Sequence, residues 1–319
     1  MLFYPLLFEP IFKERIWGGT KLKEVLNKSF NGQQIGESWE LSTVENDISV
    51  VANGDFKGLN LNQLIEKYPT EVLGIKSIQH FGINFPLLFK FIDAKEDLSI
   101  QVHPNDALAK ERHNSFGKTE MWYVMQADEK ARLVVGFKDK TNRKEYQKHL
   151  ENKTLVAVLN ETPVKEGDAF FLETGTVHAI GGGVLLAEIQ QTSDITYRLY
   201  DWDRVDANGV GRELHTDFAL DAINFKPTNT KLNYDADKNK SVNLVECPFF
   251  KTNILQISEK YNWKKTKESF TVFMCTEGSF TISMLHFKSE FRKGDTVLIP
   301  AIIDSFEIIG EASLLEITI

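Results

Sequence analysis

Cysteine is nearly missing from this chain. Cys247 and Cys275 are its only two in 319 residues and no CxxC pair occurs, so a disulfide framework is excluded. Long apolar stretches are missing too: nothing approaches the roughly 18 residues of a membrane helix. The opening "MLFYPLLFEPIFKER" has no basic n-region, contains Pro5 and reaches Glu9 before a signal-length run develops. These absences predict a cytoplasmic protein without a membrane partner. A cationic surplus is the third thing lacking. With 37 Lys and Arg against 45 Asp and Glu the net charge is −8, which argues against nucleic acid or an anionic membrane as partner. An anionic small molecule would need a local cluster of Lys and Arg set against that field.

What is present is ordinary soluble composition, 42% hydrophobic and 26% charged, in a length that suits one large or two medium domains. Short runs rich in Val, Ile, Phe and Thr dominate, among them "FPLLFKFID", "LSIQVH", "EMWYVMQA", "ARLVVGF", "DAFFLETGTVHAI" and "GVLLAEIQQ". Punctuated by Gly, Asn and Asp, they predict antiparallel strands of a sandwich or barrel. Helical patterns are few: 61–74, split by Pro69, then 106–113, 142–152 and 213–223. The polar stretch 228–240 lacks periodicity and reads as a linker between a first domain, 1–227, and a second, 241–319.

An internal echo supports that division. "KEGDAFFLETGTVHAI" (165–180) matches "RKGDTVLIPAIIDSFEI" (292–308) with Gly167 on Gly294, and "TEMWYVMQADEKARL" can be laid on "KESFTVFMCTEGSFTI" with Glu120 on Glu268. The expectation is two related barrels, with the helix 142–152 inserted in the first. Ser305 stands where the first copy has His178, and no Gln-x-His precedes Glu268, so a metal in the first barrel has no counterpart in the second.

The chemistry is therefore sought in the first copy. Gln101 and His103, two apart on a strand, point to one face. Glu120 opens the next apolar run and His178 closes another. An amide oxygen, two imidazoles and a carboxylate suit Zn²⁺, and also Mn²⁺, Fe²⁺ or Co²⁺. Taken singly, Gln101 reads as a backbone-satisfied strand residue and Glu120 as a solvated strand start; convergence is what favours a site. His113, His149 and His215 read as surface or capping residues, and Trp17 and Trp39 as core.

"GDAFFLETGTVHAIGGG" resembles the second cupin motif, with Glu173 in its Pro place and Gly182 where it ends in Asn. "QVH…E" resembles the first, with Gln replacing its first His. "LSIQVHPND", "GKTEMWYV" and "EIQQTSDITYRLYDWDR" are in turn similar to segments of the zinc-dependent type I mannose-6-phosphate isomerases, in their short bacterial form. "EPIFKERIWGG" and "IGESWELS" look like the same branch. "FGKTE" departs from the Asn-His-Lys-Pro-Glu of longer members, and the chain has no room for their extra helical domain.

The resemblance implies a mainly β fold of two cupin jelly-roll barrels with a few inserted helices. It implies one Zn²⁺ per chain, held by Gln101, His103, Glu120 and His178, and a sugar phosphate substrate isomerised through a cis-enediol. It also implies Arg198 as the active-site arginine, Ser99 on the phosphate side, and Lys118 serving phosphate or ring opening. Glu188 is a candidate proton carrier. Two other readings remain open at this point: another cupin enzyme (an oxygenase or sugar epimerase), or a sugar-phosphate sensor without catalysis.

Overall fold

A computed structural model describes residues 2–205 and 208–319. It is mainly β with few helices. Seven strands form one antiparallel sheet in the order Ile11–Gly19, Ile35–Leu41, Leu87–Ala94, Val184–Gln191, Glu120–Ala127, Ala169–Leu172 and Lys231–Leu232. Facing it is a five-stranded sheet in the order Tyr197–Tyr200, Ile100–Val102, His178–Ile180, Arg132–Phe137 and Leu159–Pro163.

Residue parity decides what lies between these sheets. Ile92, Ala94, Trp122, Val124, Val184 and Leu186 of the larger sheet meet Leu133, Val135 and Ile180 of the smaller one in a shared core. The intervening residues Phe89, Phe91, Met121, Tyr123, Leu185 and Ala187 face the other way. There they pack on Leu64, Ile65, Phe270, Val272, Leu315 and Ile317, so the larger sheet is covered on both faces. That is why Leu87–Ala94 and Val184–Gln191 are buried at every position and read as continuous apolar runs. It is also why a polar residue of inward parity on these strands is enclosed.

The third sheet runs Ser241–Glu246, Lys251–Lys264, Ser305–Thr318, Thr271–Met284 and Phe287–Arg292, with Thr296–Ile299 paired to Thr271–Met284. Its three 14-residue strands curl around an aromatic interior of their own. Trp263 stacks on Phe306 at 4.6 Å between ring centroids and meets Phe273 edge-on at 5.6 Å. Phe273 is fully buried, so Phe273→Ala should cost about 3–5 kcal/mol. Thermal unfolding would show the loss, while the folded fraction keeps its metal content because the cavity opens far from the first-unit site.

Two sequence expectations need correction, the unpaired linker and the register of the repeat. The stretch 228–240 is not structureless: Leu232 pairs with Ala169 and Lys231 with Phe170, and the Tyr234 hydroxyl donates to the Gly167 carbonyl at 2.6 Å. At the other end of the chain, Leu6 exchanges backbone hydrogen bonds with Leu298 of the third sheet at 2.8 and 2.9 Å. The repeat alignment also shifts. Gly167 N–H donates to Val124 and Gly294 N–H to Cys275, both at 2.9 Å, so Val124 corresponds to Cys275. Glu120 therefore corresponds to Thr271, three residues beyond the exposed Glu268, because strand pairing and not a shared Glu sets register.

The helices follow their caps. Leu61–Lys67 opens on an Asn60–Gln63 capping box, Asp106–His113 on Asn105 and Arg143–Glu151 on Asn142. Pro69 starts a separate helix, Pro69–Leu73, and 213–223 shortens to Thr216–Ala222. Ile75–Phe81 is an additional helix that the periodicity did not suggest.

Candidate metal centre and active site

Inward parity puts Ser99, Gln101 and His103 on one line of the smaller sheet, while Lys118 and Glu120 enter from the larger one. Strand pairing sets Gln101 directly against His178 and, on its other side, Arg198. Glu120 sits opposite Gln190, two places from Glu188, and Glu188 sits opposite Lys90.

His103, Glu120 and His178 are all buried, and one ligand atom from each lies within 4.8 Å of the others. His178 Nε2 is 3.3 Å from Glu120 Oε1, and His103 Nε2 is 3.6 Å from Oε2. Both imidazoles are fixed from behind: His103 Nδ1 meets the Ile195 carbonyl and His178 Nδ1 the Thr176 carbonyl, each at 2.9 Å. A carbonyl can only accept, so each Nδ1 carries the proton and each Nε2 lone pair faces Glu120. Burial is the main cause that keeps both rings neutral, His178 down to about 4 and His103 well below its usual value, with Lys118 adding to it. Neutral imidazoles are what a metal requires.

Glu120 supplies the test of fit. Both its oxygens are enclosed without a well-aligned hydrogen-bond donor, although Lys118 Nζ stands 3.1 Å from Oε2 as an ion pair. An ammonium beside Oε2 leaves Oε1 enclosed and unsatisfied, a cost that a metal ion would remove. Gln101 reaches the same point, its amide 3.2 Å from His178 Nε2; turning that amide over replaces nitrogen by oxygen there. Three donors within 4.8 Å of one another, with the Gln101 amide beside one of them, suit a divalent ion.

A cavity of about 320 Å³ opens from this cluster, bounded by Gln101, Lys118, Glu188, Ser99 and Arg198, the residues read from sequence. Lys118 lies buried at the metal end of it, 3.1 Å from Glu120 and 3.2 Å from His103 Nε2. Arg198 is half-buried, with Nε on Ser99 Oγ at 3.3 Å and Nη1 on the Glu213 carbonyl at 2.9 Å. Among the described residues it makes no ion pair with Asp201, which is taken by Arg204 and Arg212.

Sequence reasoning missed Lys90, Glu37, Arg15 and Arg212, which bound the cavity; Trp17 and Trp39 are buried, as expected of core residues, and bound it as well. Lys90 pairs with Glu188 Oε1 at 3.1 Å, while Trp122 Nε1 donates to Oε2 at 2.8 Å. Glu37 accepts from Trp39 at 2.7 Å and from both Nε and Nη2 of Arg15 at 3.1 Å. Burial raises the Glu188 and Glu37 carboxyls, but Lys90, with Lys118 on the first and Arg15 on the second, outweighs it and holds both below their usual range. Glu120 goes the other way, raised because burial outweighs Lys118. The one available signal was a single Lys inside "FPLLFKFID", an apolar run with a charge at inward parity.

Residues 6–149 match the model of the type I phosphomannose isomerase catalytic domain, and 240–319 that of the mannose-6-phosphate isomerase cupin domain. A mannose-6-phosphate isomerase of Bacillus subtilis is 38% identical over 97% of this chain and 96% of its own length. The chain belongs to the type I phosphomannose isomerase family. A mannose-6-phosphate isomerase of Streptococcus mutans is 35% identical over 98% of this chain and 97% of its own. The crystal structure of a Bacillus subtilis mannose 6-phosphate isomerase superimposes with a TM-score of 0.90 at 34% identity, covering 99% of both chains. The family is metal-dependent, which agrees with the buried His103–Glu120–His178 group. Among the described residues no helix is long and apolar enough to cross a membrane.

Proposed function

We propose that the protein interconverts mannose 6-phosphate and fructose 6-phosphate, with one Zn²⁺ held by His103, Glu120, His178 and Gln101. The carrying observation is the pair of Nε2 lone pairs aimed at a buried carboxylate that has the Lys118 ion pair but no well-aligned hydrogen-bond donor, at the end of a cation-lined cavity in a chain of this family. Bound there, the metal would supply a Lewis acid for the sugar oxygens at C1 and C2.

The protein's own groups divide the remaining work. The reaction shuttles a proton between C1 and C2 through a cis-enediol, so it needs a base kept ionised in an enclosed site. Glu188 fits: Trp122 fixes Oε2, and Oε1 remains beside Lys90 as the proton-accepting atom. Lys90 and Lys118 keep that carboxylate charged without exposing it to water. Lys118, between Glu120 and His103, is placed to give or take a proton at a sugar oxygen during ring opening. Arg198 presents a planar, permanently charged fork to an oxyanion, and Ser99 holds it there through its Nε.

A coupled assay that detects fructose 6-phosphate from mannose 6-phosphate, run on zinc-loaded protein, tests this reading. No product would refute it. In the same assay Arg198→Lys, which keeps charge but loses the fork, should lower turnover roughly 10²-fold with zinc content unchanged. Turnover near wild type would make Arg198 a bystander.

A further inference from the structure

Charge at the mouth of the cavity is out of balance in a way the metal centre does not explain. Lys90, Lys118 and Arg15 each have their own carboxylate, in Glu188, Glu120 and Glu37. Arg198 has none in ion-pair reach among the described residues; its bonds go to the Ser99 hydroxyl and the Glu213 carbonyl, both neutral. Nearby, Asp201 is shared, accepting from Arg204 Nη2 at 2.6 Å and from both Nε and Nη2 of Arg212, at 2.7 and 2.5 Å. Among the described residues three guanidiniums, Arg198, Arg204 and Arg212, thus have one carboxylate in ion-pair reach, with Glu213 acting more weakly on Arg198 and Asp194 bounding the same cavity. They feel each other: after burial, Arg212 is the largest influence pulling Arg198 below its ordinary value, with Arg204 acting in the same direction. Of the three, Arg198 and Arg212 bound the cavity. In a chain of net charge −8, a half-enclosed local surplus is stable when an anion completes it, and the remaining guanidinium N–H donors of Arg198 and Arg212 suit the oxygens of a phosphoryl group.

We propose that Arg212, held in orientation by Asp201, is the residue that reads the phosphate of the substrate together with Arg198, making this corner and not Lys118 the source of selectivity for phosphorylated over free sugar. The proposal rests on the sugar-phosphate reading above. Asp201 then acts as a positioning residue, since it takes both Nε and Nη2 of Arg212 and leaves Nη1 for the cavity that Arg212 bounds.

The test uses zinc-loaded wild type, Arg212→Gln and Arg212→Lys. With mannose 6-phosphate, KM should rise roughly 10- to 100-fold in Arg212→Gln, as for loss of a charge-assisted hydrogen bond, while kcat changes little because the phosphate is gripped equally in ground and transition states. Arg212→Lys should recover part of the loss, and it serves alone if the glutamine variant does not fold. Calorimetry with inorganic phosphate should show weaker binding in Arg212→Gln by a similar factor. A phosphate difference without any sugar turnover would remove the isomerase reading and leave the arginine pair standing. Equal phosphate affinity in wild type and Arg212→Gln, or a fall in kcat at unchanged KM, would overturn the proposal.

Discussion

Replacing His178 by alanine is expected to empty the metal centre and lower turnover by roughly 10³-fold or more, the several kcal/mol that a polarising metal contributes. The substitution removes one of two Nε2 lone pairs that face Glu120, and it also frees the Gln101 amide, whose partner is His178 Nε2 at 3.2 Å. Metal analysis after gel filtration should find less than a tenth of the wild-type content, on the order of the 10- to 100-fold affinity losses seen even for groups behind the ligands. The thermal midpoint serves as a control: a folded, metal-free, inactive variant is the expected result. A folded variant that retains full metal would displace the site from His103, Glu120 and His178.

Lys118→Ala should act on the chemistry. The ammonium is buried, 3.1 Å from Glu120 Oε2 and in contact with His103 Nε2 at 3.2 Å, and the burial cost of its charge is more than offset by Glu120 and Glu188. Its removal takes a proton donor and an ionic neighbour away from the reacting end of the sugar, so kcat for mannose 6-phosphate should fall by roughly 10²- to 10⁴-fold, the range for loss of a positioned acid or base. Metal should stay bound, because a cation beside the ligands has been removed and not a ligand. The decisive comparison is with free mannose. A proportional loss on both sugars is expected from a residue at the metal end. A loss confined to the phosphorylated sugar would return Lys118 to phosphate binding and weaken the assignment of that role to Arg198 and Arg212.

How much of this was legible from sequence follows from what a strand pattern can encode. The two-residue spacing of Ser99, Gln101 and His103 states that they share a face, and the structure keeps them on one line facing Glu120. Which face is enclosed depends on the partner sheet, and for His178 on pairing with Gln101 across 77 residues. Family resemblance supplied that link where periodicity had no access to it. Lys90 was overlooked for the complementary reason. In a sheet covered on both faces, alternation disappears, and an inward lysine is indistinguishable from a charge at a strand edge until Glu188 is laid beside it. Glu37 and Arg15 needed pairing between their strands, which a bulge interrupts after Lys13. Arg212 lies in irregular chain, where no period exists to signal its direction. The repeat register erred for a related reason: sequence identity at Glu268 outweighed the hydrogen bonds of Gly167 and Gly294, which only the paired strands reveal.

The central claim, that one metal at His103, Glu120 and His178 supports isomerisation of mannose 6-phosphate, is tested most directly by titration. Protein stripped by chelation is mixed with increasing Zn²⁺, and fructose 6-phosphate formation is followed at each addition. The account predicts no turnover at zero metal, a linear rise, and a plateau at one equivalent per chain. Full turnover in protein shown to be metal-free, or a plateau reached only at two equivalents, would contradict it.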